Sequence, residues 1–286
     1  MKKSVLYAAL LGIILFALVG CTGNSNTQAG NTQETGQAQA TGQVNIDKIK
    51  EKGELVLATS ADYPPFEWHL MKDGQDTIVG FDIAIAQEIA DELGVKLVIK
   101  DLDFEAVIPA LTTGQADIAI AGLVPTPERE EVVNFSQPYF QNNQVVIVHK
   151  DNEAKYKKIE DFAGKKVGAQ TGSTQETIAN EQFPKDIEVL SLSKINNLIM
   201  EVKNKTADGL VIVDNSAKQY LVQNTDLAIV DVGIPPEDGT CIAVGKDKED
   251  LAKFVDEKLQ KLMDEGKVES YIKEYEELAS KEQVAE

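Results

Sequence analysis

The chain has 286 residues with 43% hydrophobic content, which is enough for one large or two modest globular domains. Its formal net charge of −19 argues against a nucleic-acid-binding protein and against a basic patch for anionic lipid. His69 and His149 are isolated and the sequence has no CxxC or HExxH motif, so we expect neither a metal site nor a cofactor.

Residues 1–20 are typical of a signal peptide, in which two lysines precede an apolar run over residues 5–19. That run is shorter than the roughly 20 residues that a transmembrane helix needs. It ends in Leu18-Val19-Gly20-Cys21, which fits the lipoprotein cleavage pattern L-[ASTVI]-[GAS]-C. We therefore predict a lipid anchor on Cys21 that holds the protein at the extracytoplasmic face of the cell membrane. The alternative is an ordinary signal peptide with a chance cysteine.

The segment after the predicted cleavage site consists mainly of Gly, Asn, Thr, Gln, Ala and Ser. Because it has almost no large apolar side chain, it cannot bury enough surface to fold. Residues 21–44 are therefore predicted to be the lipidated cysteine and a flexible tether to a domain that begins near residue 45. If Cys21 carries lipid, the second cysteine, Cys241, is left as a small, buried apolar residue.

The first half of the domain alternates between strands and helices. Pro64 and Pro65 are incompatible with a helix, so the residues around them form an extended loop. Gly94 ends a helix whose apolar residues recur at helical spacing. The predicted elements are a strand at 54–60, a loop at 61–68, a helix at 79–93, a strand at 96–100, a helix at 104–112 and a strand at 117–123. This alternation predicts an α/β lobe with a mostly parallel sheet.

A tight bend follows the strand at 117–123. Thr126 is a natural N-cap, and Pro127 occupies the first helical position, where its missing N–H costs nothing. Arg129 then lies in the first turn. Backbone N–H groups and a guanidinium together predict a receptacle for a carboxylate or a phosphate. The alternative is that Arg129 is a solvated residue on the helix surface.

The alternation repeats over residues 159–232, after a further strand at 144–149. Ser173 and Glu176 form a capping box, S-x-x-E, so a second glycine bend delivers a helix N-terminus. The other predicted elements are a strand at 165–169, a strand that runs into a helix over 207–220, and terminal helices over 250–262 and from Gly266 to Leu278. This second alternating region predicts a second α/β lobe.

The order of these motifs resembles the bacterial family 3 solute-binding proteins, which are the polar amino-acid receptors of ABC importers. The resemblance spans roughly residues 50–280. It rests on motifs of the types T-x-x-x-[YF]-x-P-F-E at 59–67, G-F-D at 80–82, G-[ML]-[TS]-x-[TS]-x-E-R at 122–129, [DN]-F-S-x-P-Y at 134–139 and [QS]-G-[ST]-[TS]-x-E at 171–176.

The resemblance implies the two-lobed periplasmic-binding-protein fold of type II. Each lobe would be a mostly parallel sheet flanked by helices, and two hinge strands would join the lobes. Lobe 1 would comprise residues 45–142 and 234–286, and lobe 2 residues 143–233. The protein would bind a free L-amino acid by hinge closure and deliver it to the membrane subunits of an ABC permease. A monomer without enzymatic activity is expected.

The resemblance also implies a ligand site. Arg129 would take the α-carboxylate, helped by the backbone amides of Gly122 and Val124 and by the helix start at Thr174. The aromatic rings of Tyr63 and Phe81 would sandwich the ligand side chain. The complete set of expected contacts is Ser60, Asp62, Tyr63, Glu67, Phe81, Ala121, Gly122, Val124, Arg129, Gln170, Ser173, Thr174 and Asp214.

Two positions depart from the family pattern. Val124 stands where a Thr or Ser is usual, and Val213 stands where an Asp usually holds the ligand ammonium. Asp214 would take this role through a one-residue bulge, or else an acid such as Asp62 or Glu67 would take it. The alternative for Asp214 is a helix N-cap. The favoured ligand is a polar or basic amino acid such as glutamine or arginine, and the departures leave open a modified or cyclic derivative.

Two other functions stay open at this point. Some dehydratases resemble these receptors, and one acid–base carboxylate such as Asp62 or Glu67 would suffice for an elimination. Against an enzyme, the sequence shows no nucleophile–base motif. The other possibility is a sensor module that presents a bound amino-acid derivative to a signalling partner. A neighbouring permease gene would favour the importer, and turnover of a prephenate-like substrate would favour the enzyme.

Overall fold

The structure is a computed structural model that describes residues 44–72, 74–141 and 143–281. The predicted signal peptide, the lipidated Cys21 and almost all of the tether lie outside the described residues. Within the described part of the chain, no helix is long and apolar enough to cross a membrane.

The described elements alternate along the chain. The helices are α1 (Val44–Lys52), α2 (Phe81–Leu93), α3 (Phe104–Thr112), α4 (Pro127–Glu130), α5 (Thr174–Glu181), α6 (Ile195–Lys203), α7 (Asp214–Gln223), α8 (Glu249–Asp264) and α9 (Lys267–Lys281). The strands are β1 (Glu54–Thr59), β2 (Asp62–Tyr63), β3 (Glu67–Lys72), β4 (Gln75–Val79), β5 (Lys96–Asp101), β6 (Ile118–Ala119), β7 (Val133–Phe135), β8 (Gln144–His149), β9 (Lys166–Gln170), β10 (Glu188–Leu192), β11 (Gly209–Val213), β12 (Leu227–Val230) and β13 (Ala243–Gly245).

Two five-stranded sheets organise the molecule, with strand orders β5-β1-β6-β13-β7 and β10-β9-β11-β8-β12. In each sheet three consecutive strands pair in parallel, and the remaining two pair antiparallel. The chain passes from the first sheet to the second between β7 and β8, and it returns between β12 and β13. This arrangement matches the predicted two-lobed α/β fold. The lobe boundaries at 142/143 and 233/234 stay a prediction.

The region around Pro64 and Pro65 is more regular than the loop predicted for 61–68. β2, β3 and β4 form a three-stranded antiparallel sheet, and Trp68 pairs with both Asp62 and Val79. Trp68 and Leu70 are buried whereas His69 between them is half-buried, which is the alternation of a strand with one covered face. The prolines obscured this signal because they lie in the connection between two of the strands.

Helix α1 was absent from the sequence-based prediction. Its Ile46 and Ile49 are buried in the first core, and Asn45 ties it to α8 by donating from its backbone N and from its Nδ2 to the Asp250 carboxylate, at 2.8 Å each. The sequence offers only two apolar core residues here, so local periodicity is weak. Tertiary contact with α8 therefore decides that this segment is helical.

Other predicted features are confirmed. Helix α2 ends at Gly94, which adopts the left-handed conformation with φ of 72°. Cys241 is buried, and this burial raises the pKa of its thiol to about 12. The strand predicted at 117–123 is shorter in the structure, because β6 spans only Ile118–Ala119 before the chain turns toward Gly122.

A cluster of aromatic rings supports the end of the first sheet. Phe66 lies at the centre, with ring centroids 4.5 Å from Phe81 and 5.3 Å from Phe140. Phe66 and Phe81 are fully buried. Gly80, with φ of 140°, lets the backbone pass directly over Phe66, because a Cβ there would overlap the carbonyl oxygen of Phe66 and lie 2.8 Å from the Cα of Glu67.

We expect Gly80→Ala to destabilise the protein far more than Gly114→Ala. Both glycines have positive φ, but a Cβ at Gly114 meets nothing within 4 Å. The control should therefore cost about 1 kcal/mol, from backbone strain alone. Gly80→Ala should cost more than about 3 kcal/mol, since strain and steric overlap add. Urea unfolding monitored by circular dichroism measures both, and equal losses would contradict the expectation.

Candidate functional site

A small cavity lies where the carboxyl ends of strands from both sheets meet. This is where open α/β sheets bind ligands. Residues that follow β1, β5 and β6 line one side, and residues at and after the end of β9 line the other. The lining residues are Ser60, Tyr63, Glu67, Phe104, Ala121, Gly122, Val124, Arg129, Gln170, Thr174 and Gln175.

The cavity brings together nine of the thirteen predicted contact residues. The four that do not line it are Asp62, Phe81, Ser173 and Asp214. Phe104 and Gln175 line it without having been predicted. The local environment of each residue explains why it does or does not line the cavity.

Arg129 lies at the cavity in the bend that the sequence predicted. The Thr126 hydroxyl accepts the Arg129 N–H at 3.3 Å, and Pro127 is the first helical residue, so the predicted cap is confirmed. The Arg129 guanidinium donates from Nη1 to the Val124 carbonyl at 2.7 Å and from Nη2 to the Gly172 carbonyl at 3.0 Å. A guanidinium has five N–H donors, so three remain for a carboxylate.

Arg129 is the only arginine in the chain, which otherwise uses lysine for its cations. Its Cζ lies 5.6 Å from the centroid of the Phe104 ring, within the range of a cation–π interaction. Burial lowers the pKa of the guanidinium, yet an arginine stays protonated at neutral pH. The planar, forked donor set suits a carboxylate better than a lysine would.

The backbone amide of Gly122 was expected to donate to the ligand carboxylate, but in the structure it is already used. It donates to Asp82 Oδ2 at 2.9 Å, while the Tyr139 hydroxyl donates to Asp82 Oδ1 at 2.7 Å. A fully buried carboxylate needs such donors, so Asp82 competes for the Gly122 N–H. Gly122 still lines the cavity, and its φ of 55° explains why a glycine stands there.

The second glycine bend starts helix α5 at Thr174, as predicted. Its N-cap Ser173 accepts the Glu176 N–H at 3.1 Å and donates to the Gln170 carbonyl at 2.6 Å. The Ser173 hydroxyl therefore uses its one donor within its own turn, and the residue does not line the cavity. Thr174 does line it, as the first residue of a helix whose first N–H groups lack intrahelical acceptors.

Asp62 joins the two lobes instead of facing the cavity. Its Oδ2 accepts the Ile195 N–H at 2.9 Å, and Ile195 is the first residue of α6 in the second sheet's lobe. Asp62 thus caps a helix of the opposite lobe, a placement favoured by the helix dipole. Its backbone carbonyl accepts the Tyr220 hydroxyl at 2.6 Å. Asp62 therefore contacts the opposite lobe, and its predicted ligand contact stays a prediction.

Of the two aromatic residues predicted to sandwich the ligand side chain, Tyr63 lines the cavity and Phe81 does not. Tyr63 lines the cavity, and its hydroxyl accepts the Val213 N–H at 3.1 Å across the cleft. Phe81 lies in the core of the first lobe, fully buried against Phe66 and Phe140. Phe66 occupies the space between Phe81 and the bend at Gly122, so it is Phe104 that supplies the second aromatic surface of the cavity.

Glu67 is the buried acid of the cavity. Its Oε2 has no hydrogen-bond partner among the described residues. Burial raises its pKa well above the ordinary value, and the charge of Asp82 raises it further. Burial also raises the pKa of Asp82 to about 6, against hydrogen bonds from Gly122 and Tyr139. Glu67 and Asp82 are thus neighbouring carboxyl groups, and their interaction adds to the rise in the pKa of Glu67.

Asp214 does not reach the cavity. It is the first helical residue of α7, with Val213 as the N-cap, and it forms an ion pair with Lys218 one turn later. The N-cap is Val213, so the alternative N-cap role of Asp214 is wrong, and its predicted ligand contact stays a prediction. No bulge precedes it, because Val213 pairs directly with Gln144 in the sheet.

Three residues near the site escaped the sequence-based prediction. Phe104 lies three residues after the end of β5, Gln175 follows Thr174, and Glu237 lies on the segment that returns to the first sheet. Phe104 was the most accessible to sequence reasoning, because an aromatic residue after a parallel strand faces the ligand edge of a sheet. Glu237 had only the weak signal of an acid beside Pro235 and Pro236.

Comparison with known proteins now defines the class. Residues 55–277 match the bacterial extracellular solute-binding proteins, family 3, and the chain belongs to this family. This confirms the predicted family, and family membership places the site of action outside the cytoplasm. Within the described ranges, no group of three or more metal-binding side chains could hold a metal ion.

Particular relatives are amino-acid-binding proteins. The arginine-binding extracellular protein ArtP of Bacillus subtilis is 35% identical over 239 residues, covering 82% of this chain and 91% of ArtP. The substrate-binding protein AbpA of a Streptococcus pneumoniae amino acid ABC transporter, solved with bound L-arginine, superposes with a TM-score of 0.78. It is 38% identical and covers 83% of this chain and 100% of AbpA.

One structural neighbour touches the enzymatic alternative. The ancestral amino acid-binding protein AncCDT-1, a precursor of cyclohexadienyl dehydratase, superposes with a TM-score of 0.73 and 32% identity. The alignment covers 81% of this chain and 99% of AncCDT-1. Together these neighbours confirm the two-lobed fold and make this chain a relative of amino-acid-binding components of ABC transporters.

Asp62 and Asp82 should titrate near pH 6, because burial raises the pKa of each to about 6. The folded protein then binds protons more tightly than the unfolded chain. Each of these two carboxyl groups therefore adds about 3 kcal/mol to the free energy of unfolding below about pH 4. This contribution is lost as the pH rises through 6. Carbon-13 NMR of labelled aspartate carboxyls checks this. Asp250, whose pKa is lowered despite partial burial because Asn45 donates to it, is the internal control.

Proposed function

We propose that this protein binds free L-arginine in the cavity between its lobes and delivers it to the membrane subunits of an ABC permease. The observation that carries the proposal is the cavity itself, which has the chain's only arginine and a buried acid, Glu67, whose Oε2 has no hydrogen-bond partner among the described residues. An L-arginine molecule carries the complementary groups, a carboxylate and a side-chain guanidinium. The named relatives that bind arginine support the same assignment.

In this proposal the α-carboxylate pairs with Arg129. The two carbonyl contacts hold the guanidinium from both lobes and leave three N–H donors, enough for a bidentate contact. The amides of Val124 and Thr174 are the proposed additional donors, and Gly122, Ala121, Ser60 and Gln170 are proposed to shape the walls. Val124 has no hydroxyl that could donate to the ligand carboxylate. Binding of the carboxylate therefore depends more on Arg129 than it would if a threonine stood at position 124.

The side-chain guanidinium is proposed to reach Glu67 past the aromatic surfaces of Tyr63 and Phe104. A cation beside Glu67 lowers its pKa, so the buried carboxyl ionises and accepts charge-assisted hydrogen bonds from the ligand. This explains why an acid without a partner is kept in a buried position, where it would otherwise destabilise the fold. A neutral glutamine or citrulline gains less from this group.

Hinge closure is the proposed mechanism of ligand capture. Lobe 1 is proposed to comprise residues 45–142 and 234–286, and lobe 2 residues 143–233. The lobes already share direct contacts at Asp62, Tyr63 and Arg129. A ligand that contacts both lobes favours the closed arrangement by its differential affinity, and this arrangement is the proposed partner of the permease.

Anchoring by lipid on Cys21 is proposed to hold this monomer at the outer face of the membrane, with residues 22–44 as a tether. The fraction that contains the protein, membrane or culture medium, checks the anchor. The dehydratase alternative has one observation in its favour, the raised pKa of Glu67 inside the cavity. Turnover of a prephenate-like substrate by the purified protein would support it over the importer.

L-arginine should raise the thermal stability of residues 45–286. At a hundred times its Kd it stabilises by about 2.7 kcal/mol. Arg129→Ala should abolish the shift and Arg129→Lys should leave a reduced one, because lysine retains charge without the bidentate fork. Lys253→Ala on the exposed face of α8 is the control and should keep the full shift. No shift with arginine in the wild type would refute the proposed ligand.

Glu67→Gln should separate arginine from its neutral isostere citrulline. Gln keeps the size of Glu67 and can still donate to Asp82, so the fold should survive. Arginine affinity should fall roughly ten- to a hundredfold, as expected for a lost charge-assisted hydrogen bond, and citrulline affinity should change little. Isothermal titration calorimetry measures both, with Glu257→Gln on α8 as the matched control. Equal losses for the two ligands would contradict a role for the charge.

A further inference from the structure

In the proposed binding mode, the α-ammonium of the ligand has no acceptor among the residues assigned so far. If Arg129 takes the α-carboxylate, the α-ammonium lies one carbon away and must find an acceptor close to Arg129. Val213 offers no side-chain oxygen, and Asp214 is ion-paired with Lys218 outside the cavity. Asp62 accepts from Ile195 and Gln170 of the opposite lobe. An ammonium buried without an acceptor would be costly, so another group is required.

Glu67 is not suited to this role. The charges that act on it are those of Asp82, Asp62 and Asp101, which places it in an acidic cluster. The charge of Arg129, in contrast, acts on Glu237. The charges of Glu67 and Glu237 both raise the pKa of the Tyr63 hydroxyl. Glu67 lines the cavity with Arg129, whereas Glu237 lines the adjoining groove with Arg129 and Thr174. Of these two acids, Glu237 is the one on which the charge of Arg129 acts.

Side chains beside the cavity hold the Glu237 carboxylate in place. Gln144 donates from Nε2 to its Oε2, and Gln175, which lines the cavity, donates to Gln144 Oε1 at 3.2 Å. The backbone carbonyl of Glu237 accepts Gln141 Nε2 at 2.6 Å. Arg129, Thr174 and Glu237 also share the walls of one groove that adjoins the cavity. Glu237 is thus a positioned acid beside the proposed carboxylate clamp.

The register of the second sheet explains why Glu237 lies on the same face as Val213. Val213 of β11 lies directly opposite Gln144 of β8 in an antiparallel pair. Directly opposed residues project to the same face of a sheet. Since Gln144 holds Glu237, the carboxylate lies on the face toward which Val213 points. The connection between β12 and β13 thereby supplies an acid where β11 has none.

The electrostatics of Glu237 are consistent with a cation-binding role. Burial raises its pKa above the ordinary value, while hydrogen bonds from Thr174 and Gln144 and the charge of Arg129 oppose this effect. An ammonium at van der Waals distance would add a second cation and favour the ionised form. A half-buried carboxylate then forms a stronger charge-assisted hydrogen bond than one in bulk water.

We propose that Glu237 binds the α-ammonium of the amino-acid ligand, acting from the returning segment between the lobes. The inference rests on the proposed function, because it assumes an amino acid whose carboxylate pairs with Arg129. It assigns the zwitterionic head to Arg129 and Glu237 together and leaves the far end of the ligand to Glu67.

Isothermal titration calorimetry with two ligands tests whether Glu237 binds the α-ammonium. L-arginine carries the ammonium, and 5-guanidinopentanoate is the same molecule without its α-amino group. The variant Glu237→Gln keeps the size and the hydrogen bond to Gln144. The control is Asp238→Asn, an exposed neighbour that changes the net charge equally. Thermal unfolding of each variant without ligand verifies that the fold is retained.

The expected result is a loss of arginine affinity by roughly ten- to a hundredfold in Glu237→Gln, with the affinity for 5-guanidinopentanoate within about twofold of the wild type. Asp238→Asn should bind both ligands like the wild type. Equal losses for both ligands in Glu237→Gln would reveal a merely structural role and overturn the inference.

Two further outcomes would also overturn it. Tighter binding of both ligands by Glu237→Gln would show that Glu237 competes with the ligand for Arg129. Unchanged arginine affinity in this variant, with normal binding by the wild type, would refute the role of Glu237 and leave the proposed function intact. Failure of the wild type to bind arginine at all would instead refute the proposed function, and the inference with it.

Discussion

A single half-buried guanidinium connects the parts of this structure. Arg129 extends from a short helix of the first lobe and donates to the carbonyls of Val124 in its own loop and Gly172 in the opposite one. A cation partly removed from water needs hydrogen-bond acceptors, and here the two loops supply one carbonyl each. Phe104 covers one face of the guanidinium at 5.6 Å. The edge of each sheet is thereby directed toward a common cavity, in which the unused donors of Arg129 are available to an anion.

Around that cation the acids divide into two groups with different tasks. Asp62 and Asp82 accept backbone N–H groups, and they organise the loops and the contact between lobes. Glu67 and Glu237 keep carboxylate oxygens near the cavity, one beside the acidic cluster and the other beside Arg129. Burial raises the pKa of all four, so each carboxyl would be relieved by a donor or a cation. A ligand with two cationic groups and one carboxylate satisfies this charge arrangement.

Sequence reasoning recovered the local devices of the site and failed where distant segments meet. The caps at Thr126 and Ser173 were predictable, because each depends on residues within one helical turn. Phe81 and Ser173 were assigned to the ligand from motif position, whereas packing against Phe66 and hydrogen bonding to Gln170 direct them elsewhere. The strand pairing of Trp68 was hidden for a local reason, since Pro64 and Pro65 lie in the connection that precedes its strand.

The sequence by itself determined the family, the alternation of strands and helices, and the glycine bends that start helices at Pro127 and Thr174, because these depend on short-range sterics and hydrogen bonding. Only the tertiary structure decided which acids face the cavity. Asp62 is taken by a helix 133 residues away along the chain, and Glu237 is brought beside Arg129 through Gln144. Such placements depend on strand register and on competition among buried polar groups for donors, and neither is encoded in any one stretch of sequence.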